Sequence, residues 1–300
     1  MRRCIVLGVL LVVCALSVAI AGNQAPAPRA TLPDLLKVKD NLYIIMSSSP
    51  TPREGFTGGN TAVFVTDAGV VVVDTKLSGY GQMILDKIKM VTNKPVTTII
   101  NTHTHGDHTG SNEGFPATVD IVTHANTKTN MAKMDAFKGD KARFLPKRTY
   151  KDKMSLFGGK DQVDLYYFGA GHTSGDTFVV FPALRVLHAG DMFPWKDAPF
   201  FDLSNGGSAV EFPKTLSKVL AGIKGVDTVI PGHNPVTTIK DLEEYQRFNA
   251  DLLAATQAAM KAGKSADDAV ASINLTDKYK GYKSERLKPA VQAIYNELKK

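Results

Sequence analysis

With 300 residues, 36 Lys and Arg against 29 Asp and Glu, and two cysteines, the chain is long enough for one well-buried domain, or one domain with an appendage. Its formal charge of +7 is a mild excess. Neither a long basic run nor a basic stripe interleaved with aromatics accompanies it, which argues against a nucleic-acid partner and leaves solubility and some attraction for anionic small molecules.

The chain opens with Arg2 and Arg3, then an uncharged, mostly apolar run of 18 residues that closes on Ala19-Ile20-Ala21, small residues at the two positions a signal peptidase reads. This predicts an export signal over residues 1–21 and a periplasmic or secreted protein. The run is also just long enough to span a bilayer, so an uncleaved anchor is the alternative and the only membrane contact expected. Cys14 follows Val13, where a lipoprotein signal has a small residue. Both cysteines, Cys4 and Cys14, lie in this segment, so the remainder has no disulfide and no thiolate ligand. Residues 22–36, beginning Gly-Asn-Gln-Ala-Pro-Ala-Pro-Arg, read as a linker.

From Leu42 a β-rich pattern predicts strands at 42–45, 60–66 and 70–74, the last two joined by the turn Asp67-Ala68-Gly69. The Ser, Pro and Gly of 46–59 read as a flap too long for a hairpin. A helix is expected over about 80–91 from the spacing of Ile84, Ile88 and Val91, then a strand over 96–100. Further strands at 163–168, 179–181, 186–188 and 228–230, with a helix over about 209–223, alternate as in a layered α/β fold whose ligands sit on loops beyond strand ends. From about 242 the tail is helical, with Thr238 and Asp241 as cap and third helical residue and Leu242, Tyr245, Phe248 and Leu252 as its apolar stripe.

Residues 102–110 read Thr-His-Thr-His-Gly-Asp-His-Thr-Gly. In extended chain His103 and His105 face the same way and can reach one ion, while Gly106 allows a sharp turn that swings Asp107 and His108 toward a second position. A histidine-rich surface turn is the bland alternative, but it supplies no further ligands. Here they follow at other strand ends, as Gly171-His172, Gly190-Asp191 and Gly232-His233. Five of seven histidines therefore occupy such positions, whereas His124, opening a helix, and His188, inside a strand, read as structural. Imidazole and carboxylate without thiolate suit zinc, and less selectively iron or manganese.

The order His-x-His-x-Asp-His, then His172, Asp191 and His233, with Asp74 closing an early strand, resembles the metallo-β-lactamase superfamily of hydrolases over about residues 41–245. The resemblance implies an α/β fold, a four-layer αββα sandwich, with a two-metal site at the edge where its sheets meet. It implies that His103, His105 and His172 hold a first zinc, that Asp107, His108 and His233 hold a second, and that Asp191 bridges them. Asp74 corresponds to a carboxylate that braces the ligand loop. A hydroxide between two ions is the expected nucleophile, with Asp107 catalytic, orienting it or shuttling its proton. Residues 37–245 form the domain of this fold, and 246–300 a C-terminal helical extension.

The β-lactamases of the superfamily carry Cys or Ser at the position of Asp191, whereas a bridging Asp resembles the glyoxalase II and lactonase branches. Export favours the former and Asp191 the latter, so the expected substrate is a small molecule carrying an ester, thioester, lactone or lactam. A non-hydrolytic iron-dependent redox member needs only two His and one Asp, fewer ligands than stand here. The tail is too short for a flavodoxin module, and nothing resembles the inserted domain of the RNA-cleaving members. Trp195 and Lys196 beyond Asp191, and Phe56 and Asn60 at the flap, are the candidate substrate contacts. The basic cluster Lys278, Lys280, Lys283, Arg286 and Lys288 reads as a solvated face, with anion binding of the glyoxalase II kind as the alternative.

Overall fold

The computed structural model describes residues 30–47 and 55–299. The expected signal, most of the linker and part of the flap lie outside the described residues.

The first sheet has seven strands in chain order: β1 (Leu35–Lys39), β2 (Leu42–Ile45), β3 (Thr61–Val65), β4 (Val70–Val73), β5 (Val96–Ile100), β6 (Asp120–His124) and β7 (Arg148–Tyr150). Pairing is antiparallel from β1 to β4 and parallel from β4 to β7. The second sheet has six, ordered β13-β12-β11-β10-β9-β8. They are β8 (Lys153–Leu156), β9 (Val163–Tyr166), β10 (Phe178–Phe181), β11 (Val186–Gly190), β12 (Thr228–Pro231) and β13 (Thr237–Thr238). Only β11 and β12 run parallel.

Side-chain alternation sorts the strands into three apolar layers. On β4, Val71 and Val73 face the second sheet while Val70 and Val72 face outward, so a run of four valines is buried on both sides. The inner layer joins Leu42, Phe64 and Ile100 to Leu165, Val179 and Ile230, with Phe64 and Phe181 edge to face at 5.1 Å. Outside the first sheet lie Ile84 and Ile88 of α1 (Gly81–Lys89); the short α2 (Gly106–Thr109) carries Asp107 and His108, and α3 (Ala125–Met131) adds Met131 to that layer. Outside the second sheet lie α4 (Phe212–Gly222), α5 (Ile239–Lys261), α6 (Ala266–Ser272) and α7 (Leu287–Leu298), which bury Leu216, Tyr245, Ala269 and Ile294 against Phe178, Leu187 and Val229. The result is the expected four-layer αββα sandwich.

Sequence patterning missed β1, which starts within the stretch read as linker, and β6 to β8, which are short or mostly half-polar. The tail forms three helices, broken after Lys261 and Ser272. No helix among the described residues is long and apolar enough to cross a membrane.

Candidate metal centre

Loops from both sheets meet at one edge. Beyond β5, His105 is extended (φ −64°, ψ 145°) and caps α2, so His103 and His105 stand before one helical turn and Asp107 and His108 within it. Asp74, following β4 with a left-handed φ of 61°, holds this loop from behind. It accepts from the Thr102 backbone N–H at 2.8 Å and hydroxyl at 2.7 Å and meets His108 Nδ1 at 2.7 Å. The second sheet contributes His172 beyond β9, Asp191 after β11 and His233 after β12. Two glycines let these loops approach. A Cβ at Gly59 would fall 2.2 Å from His108 Cε1, and one at Gly232 would fall 1.9 Å from Asp191 Oδ1.

The side chains fall into two groups, His103, His105, His172 and Asp191 in one and Asp107, His108 and His233 in the other, each with its donor atoms within 4.8 Å of one another. Asp191 faces both: Oδ1 is 3.3 Å from Nε2 of His108 and of His233, and Oδ2 is 3.6 Å from His172 Nε2. Every ring has its outer nitrogen occupied. His103 Nδ1 meets the Thr102 hydroxyl, His105 Nε2 the Asp202 carboxylate (2.8 Å), His108 Nδ1 Asp74, His172 Nδ1 the Phe200 carbonyl (2.7 Å) and His233 Nδ1 the Ser47 hydroxyl. The other nitrogen of each ring is turned into the shared space, as metal-binding imidazoles are held.

The electrostatics call for positive charge. Burial, with His108 and His172 adding, pushes His103 well below its ordinary value, and burial with His105 takes His172 to about 4. Burial also opposes charge on His108, but Asp191, Asp107 and Asp74 overcome it and hold the ring well above the usual range. Asp191 moves the opposite way: burial raises it, and His233 and His108 outweigh that and keep it well below. His103 Nε2 and Asp191 Oδ1 are buried without a hydrogen bond. These two orphaned atoms, in a space onto which five rings and two carboxylates converge, fit a divalent cation.

A cleft of about 500 Å³ opens over these groups, walled by Phe56, Leu77, Pro194, Trp195, Phe200 and Arg286. Of the four substrate candidates, Phe56 and Trp195 line it, with rings 5.7 and 5.4 Å from His233. Asn60 and Lys196 do not. Asn60 is buried and ties Ser47 N–H to the carbonyls of Pro231 and Asn234, while Lys196 Nζ turns away to Asp241 (2.7 Å) and Glu244 (3.4 Å). His124 stacks on Tyr167 at 3.9 Å and meets the Lys151 carbonyl, and His188 is buried in β11; neither reaches the cleft.

Sequence reasoning did not single out Asp202, Phe200 or Lys76. Asp202 carries a faint signal in its Asp-Leu-Ser-Asn context, since its carboxylate accepts from Ser204 and Asn205 as a turn-forming Asp does. Lys76 carries none. It is fully buried, with Nζ donating to the carbonyls of Met46 (3.0 Å) and Gly59 (2.7 Å), and burial takes it down to about 7 against the pull of Asp107 and Asp74.

Comparison with known proteins places the fold and the family. The family model of the metallo-beta-lactamase superfamily matches residues 55–255. Metallo-beta-lactamase IND-1 of Chryseobacterium indologenes is 28% identical over 198 residues, covering 66% of this chain and 80% of its own. The type 2 metallo-beta-lactamase of Bacteroides fragilis is 24% identical over 201 residues, covering 66% and 78%. Among solved structures, a metallo-beta-lactamase from Pontibacter korlensis superposes with a TM-score of 0.62 at 21% identity, over 72% of this chain and 98% of that one. The inverting sec-alkylsulfatase Pisa1 from Pseudomonas sp. superposes with a TM-score of 0.69 at 16% identity, over 88% of this chain and 50% of that one. Fold, donor set and family match lead to one conclusion: the chain belongs to the metallo-β-lactamase superfamily and is a metal-dependent hydrolase.

Proposed function

We propose that the protein is an exported dinuclear zinc hydrolase that cleaves a carbonyl substrate, with esters, thioesters and lactones preferred over β-lactams. The observation that carries the dinuclear reading is Asp191, whose two oxygens face the two donor groups at 3.3 and 3.6 Å. In this reading His103, His105 and His172 hold one ion, Asp107, His108 and His233 the other, and Asp191 spans both; iron or manganese are the alternatives to zinc. Held there, such ions would act as Lewis acids and would lower the pKa of a bound water to about 7.

The chain's own groups do the rest. Asp74, Asp202 and the Phe200 carbonyl orient the rings. Asp107, its Oδ2 3.4 Å from His233 Nε2 and its side chain open to the cleft, takes the proton of the attacking water and returns it to the leaving group. Phe56, Trp195 and Phe200 shield the reacting carbonyl from bulk water. A carboxylate at position 191 places negative charge on the floor of the cleft, where the anionic nitrogen of an opened lactam needs stabilising. An alkoxide or thiolate, being less basic, needs less.

Similarity to metallo-beta-lactamases favours a second reading, hydrolysis of β-lactams. Side-by-side kinetics on a chromogenic cephalosporin, a penicillin, a homoserine lactone and an acyl thioester, with metal content by mass spectrometry, separate the two. We expect two ions per chain and a kcat/KM at least about tenfold higher on the lactone or thioester, roughly 1.4 kcal/mol of transition-state free energy. Efficient lactam turnover alone would overturn the substrate preference, and one ion per folded chain in excess zinc the dinuclear centre. Residues 37–245 are the catalytic domain in this reading, and cleavage after Ala21 is tested by N-terminal sequencing of the exported protein.

A further inference from the structure

Among the described residues that line the cleft, one is a lysine or arginine. Arg286, contributed by the chain just before α7, lies outside residues 55–255, the part matched by the family model, yet it lines the cleft beside Trp195 and Phe200. Its guanidinium carbon stands 4.8 Å over the Trp195 ring and 5.9 Å from the Phe200 ring. Cation–π contact of this kind occupies the face of the fork and leaves its N–H edges available. No carboxylate among the described residues forms an ion pair with it, whereas four neighbouring lysines are paired. Lys196 meets Asp241 and Glu244, Lys278 meets Asp251, Lys283 meets Glu285 and Lys288 meets Asp267.

Arg286 is also fixed in place. Asp197 accepts its backbone N–H, and Lys283 N–H donates to the Lys196 carbonyl at 2.9 Å, so the segment that carries Arg286 is tied to the loop that carries Trp195. The two rings under the guanidinium reach both donor groups. Trp195 is 5.4 Å from His233, and Phe200 is 5.9 Å from both His105 and His172. A substrate with its scissile carbonyl over Asp191 therefore extends across one aromatic ring to arrive at Arg286.

We propose that Arg286 is an anion subsite that selects substrates bearing a carboxylate several bonds from the scissile carbonyl. The inference rests on the hydrolase reading and names the substrate class of the same cleft. A planar guanidinium matches a carboxylate with two parallel N–H···O bonds, and a charge-assisted pair at a partly desolvated wall discriminates by about tenfold or more against a neutral analogue.

Two measurements test it on the metal-loaded full chain. The first compares kcat/KM for p-nitrophenyl hemisuccinate and p-nitrophenyl butyrate, which differ by a carboxylate in place of a methyl group, in wild type, Arg286→Met and Arg286→Lys. The hemisuccinate is expected to be favoured about tenfold or more by wild type, the preference to fall to within about threefold in Arg286→Met, and Arg286→Lys to restore part of it, read as the ratio of the two kcat/KM values within each variant. The second titrates glutarate while following emission from Trp195, the only tryptophan of the chain. Binding is expected to weaken about tenfold in Arg286→Met. Retained anion preference and retained glutarate affinity in Arg286→Met overturn the subsite. If wild type cleaves neither ester but binds glutarate through Arg286, the subsite stands and the ester reading of the cleft fails.

Discussion

Asp202 shows how much one side chain outside the donor set decides. Burial alone would raise its carboxyl, but the bonds from His105, Ser204 and Asn205 outweigh this and hold it far below the usual range. The charged carboxylate keeps the His105 N–H on Nε2 and so keeps Nδ1 facing His172 Nε2, 2.8 Å away. Asp202→Ala is expected to weaken zinc binding by about 10- to 100-fold with the fold intact, measured by chelator competition. His124→Ala, which removes a stacked ring remote from the cleft, is the control and should leave both affinity and turnover within a few-fold. Unchanged affinity in Asp202→Ala would show that the ring of His105 is fixed by packing alone. The donors themselves were legible in sequence because His103 to His108 stand in one run beyond a strand, and His172, Asp191 and His233 each follow a glycine beyond another. Asp202 was not, because it arrives from a loop 97 residues away with no periodic element before it.

The central strands were legible for a related reason. β4 and β5 are buried on both faces or nearly so, and their apolar runs have few other interpretations, whereas β7 and β8 carry Arg148, Lys153 and Ser155 and leave no such pattern. What the strands do at their ends depends on space that sequence does not reveal. β12 leads directly into Gly232, where a methyl group has no room beside the Asp191 carboxylate. Gly232→Ala is therefore expected to displace Asp191 and lower kcat/KM by at least about 100-fold while circular dichroism stays native, since the sharpest clash, at 1.9 Å, falls on the Asp191 side chain and the Gly190 carbonyl is met only at 3.0 Å. Loss of secondary structure together with activity would assign Gly232 a folding role instead.

At the scale of the whole molecule, stability couples to pH through a group the chemistry does not use. Asp176 is buried, and burial lifts its carboxyl to about 7 against the bonds it accepts from the Thr173 N–H and hydroxyl. Its folded value lies above the unfolded value near 3.8, so the native state binds a proton that the unfolded chain releases. The resulting stabilisation is complete below pH 3.8 and is lost as pH rises through about 7. Urea midpoints of wild type and Asp176→Asn, in chelator so that metal loss does not enter, should therefore differ more in favour of wild type at pH 4.5 than at pH 8. A difference independent of pH would place the carboxyl in a solvated setting.

The donor groups are drawn from both sheets, and that arrangement has a polymer consequence. His105 and His172 are 67 residues apart in the chain, and His108 and His233 are 125 apart. An ion shared by either pair closes a long loop as a disulfide does, in a chain whose two cysteines stand at positions 4 and 14. Closing a loop of this length removes about 4 kcal/mol of chain entropy from the unfolded ensemble. Stripping the metal should accordingly lower the melting temperature by about 10 °C, even in an Asp107→Asn variant whose turnover is already impaired. Scanning calorimetry with and without chelator decides the point: equal melting temperatures would mean that the two halves of the sandwich hold each other without the ion.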